Sequence, residues 1–140
     1  MIYPAGVDAN SQGAAELLTV LMRTAARFTE MGRSLSQDHF PHVRSRAVSD
    51  LAGSVARLGA ELELPGHELV FEVNVGLADG AFTVRGDLVL DGEETYLDLP
   101  LVETPDVRRL AELLDRYVDE LTVPARRHVG DLLEDCGPEL

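Results

Sequence analysis

Residues 67–102, HELVFEVNVGLADGAFTVRGDLVLDGEETYLDLPLV, decide the fold. Leu69, Phe71, Val73, Val75 and Leu77 occupy every second position, and Asp79-Gly80 follows. Phe82, Val84, Gly86, Leu88 and Leu90 continue the alternation up to Asp91-Gly92, and Thr95, Leu97, Leu99 and Leu101 complete it. A period of two is that of a half-buried strand, and Asp-Gly suits a two-residue hairpin because both turn positions need positive φ. The reading is a three-stranded antiparallel meander. With two-residue turns, Leu77 pairs with Phe82, Val75 with Val84, Val73 with Gly86 and Phe71 with Leu88. Across the second turn Leu88 meets Thr95, Gly86 meets Leu97, Val84 meets Leu99 and Phe82 meets Leu101. All these side chains then share one face, which helices must cover.

Upstream, the spacing changes to three and four. Leu17, Leu21, Ala25, Phe28, Met31 and Leu35 form one stripe behind a cap at Asn10 or Ser11. Val43, Ala47, Leu51, Val55, Leu58 and Leu62 form another, ended by Pro65-Gly66. Residues 11–64 are therefore expected to be a helical hairpin, with 1–10 an extended lead. Between the stripes, SQDHFPHV at 36–43 reads as a helix start with Asp38 as N-cap, because proline is tolerated only in a first turn. Downstream, Thr104-Pro105-Asp106 reads as cap, first helical position and dipole partner. Val107, Leu110, Leu114 and Leu121 make the buried face, with Arg108–Glu112 and Glu112–Arg116 as surface pairs. A last short helix capped by Thr122 ends at Gly137-Pro138. The expected class is α+β in the order ααβββαα, one domain over 1–140, with 67–102 as meander, 104–136 as C-terminal helices and all helices on one face of the sheet.

Composition narrows function by exclusion. The net charge is −13, all twelve basic residues are arginine, and residues 61–140 hold twenty of the twenty-five acids. Phosphate binding needs a basic surface, so direct contact with nucleic acid is not expected. A basic protein partner fits the sign. The longest apolar run, Leu17 to Met22, is too short to span a bilayer, and MIYPAGVDAN lacks the pattern of a secretory signal. A cytoplasmic protein that acts away from membranes is the expectation. Cys136 stands alone beside Glu134 and Asp135, which disfavour a thiolate, and excludes an internal disulfide.

Two constellations carry chemistry. His39 and His42, three apart, could present imidazoles to one ion with oxygen from Asp38 or Glu134, and His128 could join from the last helix. HxxH without the glutamate of a zincin motif is unspecific, so a helix start accounts for the same residues. On the outward sheet face, the register brings Glu72, Asp87 and Tyr96 into one row and Asn74, Arg85 and Asp98 into the next. A carboxylate pair beside arginine and tyrosine could do acid/base work. With Val70 and Val89 the same face reads better as a partner-binding surface crossed by an Arg85–Asp98 salt bridge. No P-loop, dinucleotide fingerprint or nucleophile elbow occurs, Ser54 lying within the second stripe, and no cofactor is expected. The arginines of the first two stripes face acids elsewhere, either within one chain or across a symmetric dimer. The expected function is a non-enzymatic binding module, homodimeric, acting as an adaptor, a small acidic chaperone or an immunity or antitoxin-like inhibitor. The alternatives are a metal-dependent or acid/base enzyme at the two constellations, and an acidic mimic of nucleic acid.

Overall fold

The computed structural model describes residues 5–52 and 55–136, with side chains at 13–51 and 55–136. Helix α1 (Ala5–Asp38) leads into strands β1 (Arg44–Ala52), β2 (Val55–Leu64), β3 (His67–Ala78), β4 (Ala81–Leu90) and β5 (Glu94–Thr104), and helix α2 (Val107–Cys136) closes the chain. The strands form one antiparallel sheet in chain order. Both helices pack on one face, α1 over β1 and β2, α2 over β3 to β5, and they touch each other. The class is α+β as expected, but the order is αβββββα.

The second helical stripe is two strands. Ala47 pairs with Ala60, Ser49 with Leu58 and Leu51 with Ala56 in an unbroken register. Residues four apart share a face in a strand as well as in a helix, because four is a multiple of two. In β2 the inward side chains are Ala56, Leu58, Ala60, Leu62 and Leu64, an alternation whose alanines carry little hydrophobic weight. Pro65-Gly66 joins β2 to β3 as a two-residue turn between Leu64 and His67, with Gly66 at φ 76°. That is the pairing of proline and positive-φ glycine a type II turn uses.

Gly59 is required by a close approach. A Cβ there would lie 2.2 Å from the Phe71 carbonyl oxygen and 2.6 Å from Glu72 Cβ, so the β3 backbone occupies the space of a side chain.

The expected helix start at DHFPH is a helix end. Asp38 is the last residue of α1, His39 to Pro41 form a turn with a cis Phe40–Pro41 peptide, and Val43 is buried at the entrance to β1. The N-terminal lead is helical from Ala5, so Asn10 and Ser11 lie inside α1 rather than at its cap. The two C-terminal helices are one, with Pro124 inside it. The buried stripe Leu110, Leu114, Tyr117, Leu121, Ala125, Val129 and Leu133 keeps its phase through the proline, so packing overrides the local penalty. Thr122 does not cap; its hydroxyl donates to the Val118 carbonyl at 2.7 Å. Asp106 caps α2, accepting from the Arg108 amide at 3.0 Å, while buried Thr104 accepts from the Asp106 amide. The surface pair is Arg109–Glu112 at 3.1 Å, not Arg108–Glu112. Gly137-Pro138 and Ser54 lie outside the described residues.

The first hairpin register is as expected, from Leu77–Phe82 to Phe71–Leu88. The second is not. Its loop holds Asp91, Gly92 and Glu93, so Leu90 pairs with Glu94, and irregularities at Tyr96 and at Pro100–Leu101 shift β5 twice. Leu88 meets Leu97, Gly86 meets Leu99 and Val84 meets Val102. Leu101 is thereby exposed rather than buried. Proline inside a strand belongs at such a bulge on an edge.

The core lies between sheet and helices. Phe28 of α1 meets Phe71 of β3 with ring centroids 5.7 Å apart and a tilt of 59°. The helix seam joins the basic and acidic parts of the chain: Arg23 and Arg27 reach Asp115, Arg27 reaches Asp119 at 2.6 Å, and Arg126 reaches Asp38 at 3.3 Å. These pairs are solvent-exposed and each contributes about 0–1 kcal/mol.

Candidate functional site

Among the described residues, no helix covers the second face of the sheet. Alternation places Arg46, Val48 and Asp50 of β1 there, with Arg57 and Glu61 of β2, Val70 and Glu72 of β3, Arg85, Asp87 and Val89 of β4, and Asp98 of β5. Glu72, Asp87 and Asp98 stand directly opposite one another in one row across three strands. Arg57 holds Glu72 through two bonds of 2.7 and 3.1 Å, and Arg85 lies 3.7 Å from Asp98. Asp87 is left between two carboxylates. Partial burial first, then the charges of Glu72 and Asp98, raise its pKa above the ordinary carboxylate value.

Tyr96 leaves this face, against expectation. The bulge turns its ring to the helix side, where it stacks on His128 of α2 with centroids 3.9 Å apart and planes 19° apart. The acid/base constellation thus loses its phenol, and the candidate metal set loses His128 to an aromatic stack. His39 and His42 sit in the turn after α1, where the His42 amide donates to the His39 carbonyl at 2.8 Å. Asp38 is engaged by Arg126. Nδ1 of His67 lies 2.8 Å from Asp91, and the Glu68 amide also donates to that carboxylate; the imidazole contact first, then the amide, holds the Asp91 pKa low. Among the described residues, no three of His, Cys, Asp and Glu converge on a position for a metal ion.

A different surface gathers the apolar side chains left over from the core. At the end of the sandwich where β1 turns into β2 and β3 into β4, Leu17 and Leu21 of α1 face Leu51, Val55, Val75, Leu77 and Phe82 across an open groove of about 200 Å³. Leu51, Val55 and Leu77, with Leu18 and Met22 on the neighbouring flank of α1, are each at least 44% exposed. Five of the eight large hydrophobic residues exposed among those described lie at this end. Clustering of this kind marks an interaction site, whereas scattered surface leucines mean nothing. Asp79 stands beside it in the β3–β4 turn, whereas Asp50 and Glu103 alternate onto the open face of the sheet.

This groove was hidden in the sequence, because Leu51 and Val55 read as a helical stripe and Leu77 and Phe82 as the buried face of a hairpin. One signal was present. LAGSV at 51–55 and LADGAF at 77–82 both put large apolar residues on either side of a turn, and alternate turns of a meander fall at the same end of the sheet.

The site and fold together define an open-faced two-layer α+β sandwich with an apolar groove at one end. No helix of the described residues is long and apolar enough to cross a membrane. The chain matches no protein-family model, no curated protein and no solved structure.

Proposed function

We propose that the protein is a non-enzymatic binding module of chaperone-like or adaptor type that receives an apolar segment of another polypeptide in the end groove. The observation that carries this reading is the concave, almost wholly apolar groove between Leu17 and Leu21 of α1 and Val75, Leu77 and Phe82 of the sheet, at whose mouth Leu51, Val55 and Leu77 are exposed. Asp79 in the adjoining turn and the net charge of −13 favour a segment with basic residues beside its apolar ones. Seating such a segment removes apolar area from water at about 25 cal/mol per Å² before the entropy of ordering is subtracted. The open sheet face, with Val70, Glu72, Arg85, Asp87, Val89 and Asp98, is largely satisfied by its own ion pairs and serves as a solvated wall.

The test is binding of arginine-flanked, leucine-rich peptides and of an environment-sensitive apolar dye, followed by fluorescence. Saturable binding at one site per chain, weakened tenfold or more by Leu77→Asp with unchanged thermal stability, is the expected result. Equal binding by Leu77→Asp, or none by the wild type, removes the groove from consideration.

A further inference from the structure

The two edges of the sheet are unlike. Strand β5 is blunted by two irregularities and by Pro100, the usual protection against unwanted pairing. Strand β1 has nine residues in unbroken register with β2, no proline and, among the described residues, no strand paired on its outer side. The two-residue turn at Pro65-Gly66 makes Leu64–His67 a hydrogen-bonded pair, so Gly59 points its backbone groups toward Val48. The amide and carbonyl groups of Ser45, Ala47, Ser49 and Leu51 therefore face outward from the sheet.

We propose that a second copy of this chain pairs antiparallel along β1 about a two-fold axis at Val48, merging the two sheets into one of ten strands. This register uses all nine residues and keeps both faces matched, since residues equidistant from Val48 become partners. Arg46 then meets Asp50 of the second copy, and the reverse. Within the chain Arg46 already pairs with Glu61, and Asp50 lies opposite Arg57. Across the seam the row becomes Glu61, Arg46, Asp50 of the second copy and Arg57 of the second copy, with alternating sign throughout. Shifting the register by two residues in either direction shortens the seam from nine residues to seven and leaves Arg46 opposite Val48 or Ala52 of the second copy instead of Asp50.

The helices fit the same axis. Helix α1 packs on β1 and β2 alike, so its axis lies about half a strand spacing inside β1. Strands are about 4.8 Å apart, which puts α1 and its symmetry mate about 10 Å apart, the distance at which helices pack. The flank of α1 turned away from α2 carries Leu18, Met22 and Thr29, with Ala25 and Ala26 near the level of the axis. Its small centre permits close approach, and its exposed Leu18 and Met22 gain cover. Leu77 and Phe82 of the groove lie two and three strands inside the edge and stay open.

The inference deepens the reading of the protein as a binding module by naming its dimer surface, and it is tested apart from the groove. Sedimentation velocity on wild type, Ser49→Pro, Met22→Asp and Leu77→Asp is the experiment. Proline at 49 removes an amide that points away from β2, so the protomer keeps its own ladder. The expected result is a dimer for wild type and Leu77→Asp, and at least a tenfold weaker dimer for Ser49→Pro and Met22→Asp, each with wild-type circular dichroism. A wild-type monomer throughout the micromolar range overturns the proposal, as does a folded Ser49→Pro that remains dimeric. If Ser49→Pro does not fold, Met22→Asp decides: an undiminished dimer rejects the seam. Loss of peptide binding in Leu77→Asp with the dimer intact separates the fate of the groove from that of the interface.

Discussion

Replacing Gly59 by alanine tests the strand assignment through the sign of its effect. In a helix, glycine to alanine stabilises by about 0.5–1 kcal/mol, because alanine loses less conformational entropy on folding. In β2 the new methyl group would sit 2.2 Å from the Phe71 carbonyl oxygen, 2.6 Å from Glu72 Cβ and 2.7 Å from Glu72 Cα. Two of these atoms are backbone, held in the β2–β3 ladder, so the contact is relieved only by spreading the strands. Overpacking of this kind costs about 3 kcal/mol. A domain of this size loses roughly 3–4 °C of melting temperature per kcal/mol, giving a drop of about 10 °C. Gly13 in α1 and Gly130 in α2 have nothing within 4 Å of an added Cβ, so alanine there should stabilise by about 0.5–1 kcal/mol. Thermal and urea unfolding followed by circular dichroism would compare the three variants. A Gly59→Ala protein as stable as wild type, or more so, would refute the strand and the close approach together.

Two further variants probe the sheet. Because the folded-state pKa of Asp87 is raised, its ionisation opposes folding, and that cost grows as pH rises from the ordinary carboxylate range through the folded value. Asp87→Asn should therefore be more stable than wild type near pH 7, by less than about 1 kcal/mol given the partial exposure of the site, and should lose that advantage below about pH 4. Equal melting temperatures at both pH values would show that the carboxylate row carries no strain. The buried Tyr117 hydroxyl donates to the Pro100 carbonyl at the second β5 irregularity. Tyr117→Phe should lower stability by about 1 kcal/mol in urea unfolding, and an unchanged midpoint would mean that water replaces the bond.

How far the fold could be read depended on how large the alternating residues are. In β3 and β4 the inward positions are Leu, Phe and Val, and both strands and their register follow from the residues alone. In β1 the inward positions are Ser45, Ala47, Ser49 and Leu51, so the period of two is nearly silent, and the leucines of β2 are spaced as a helix also allows. The second hairpin failed by one loop residue, Glu93, and that shift is what carried Tyr96 off the proposed site. Pro124 misled in the opposite sense, since a local breaker counted for less than the unbroken stripe from Leu110 to Leu133. Of the expected binding face, Val70, Glu72, Arg85, Asp87, Val89 and Asp98 do share one surface, whereas the end groove depends on which turns meet in space.

The strict chain-order sheet also bears on how the protein assembles. Each strand finds its partner in the segment just made, so the meander can grow hairpin by hairpin with little loop closure. The contacts between α1 and α2 instead join residues 88 to 92 positions apart, as in Arg27 with Asp119 and Arg126 with Asp38. Docking of the two helices is thus the topologically expensive step. Until it occurs, the N-terminal helix has only β1 and β2 to cover and the C-terminal helix only β3 to β5, and the layer over the sheet is left in two halves.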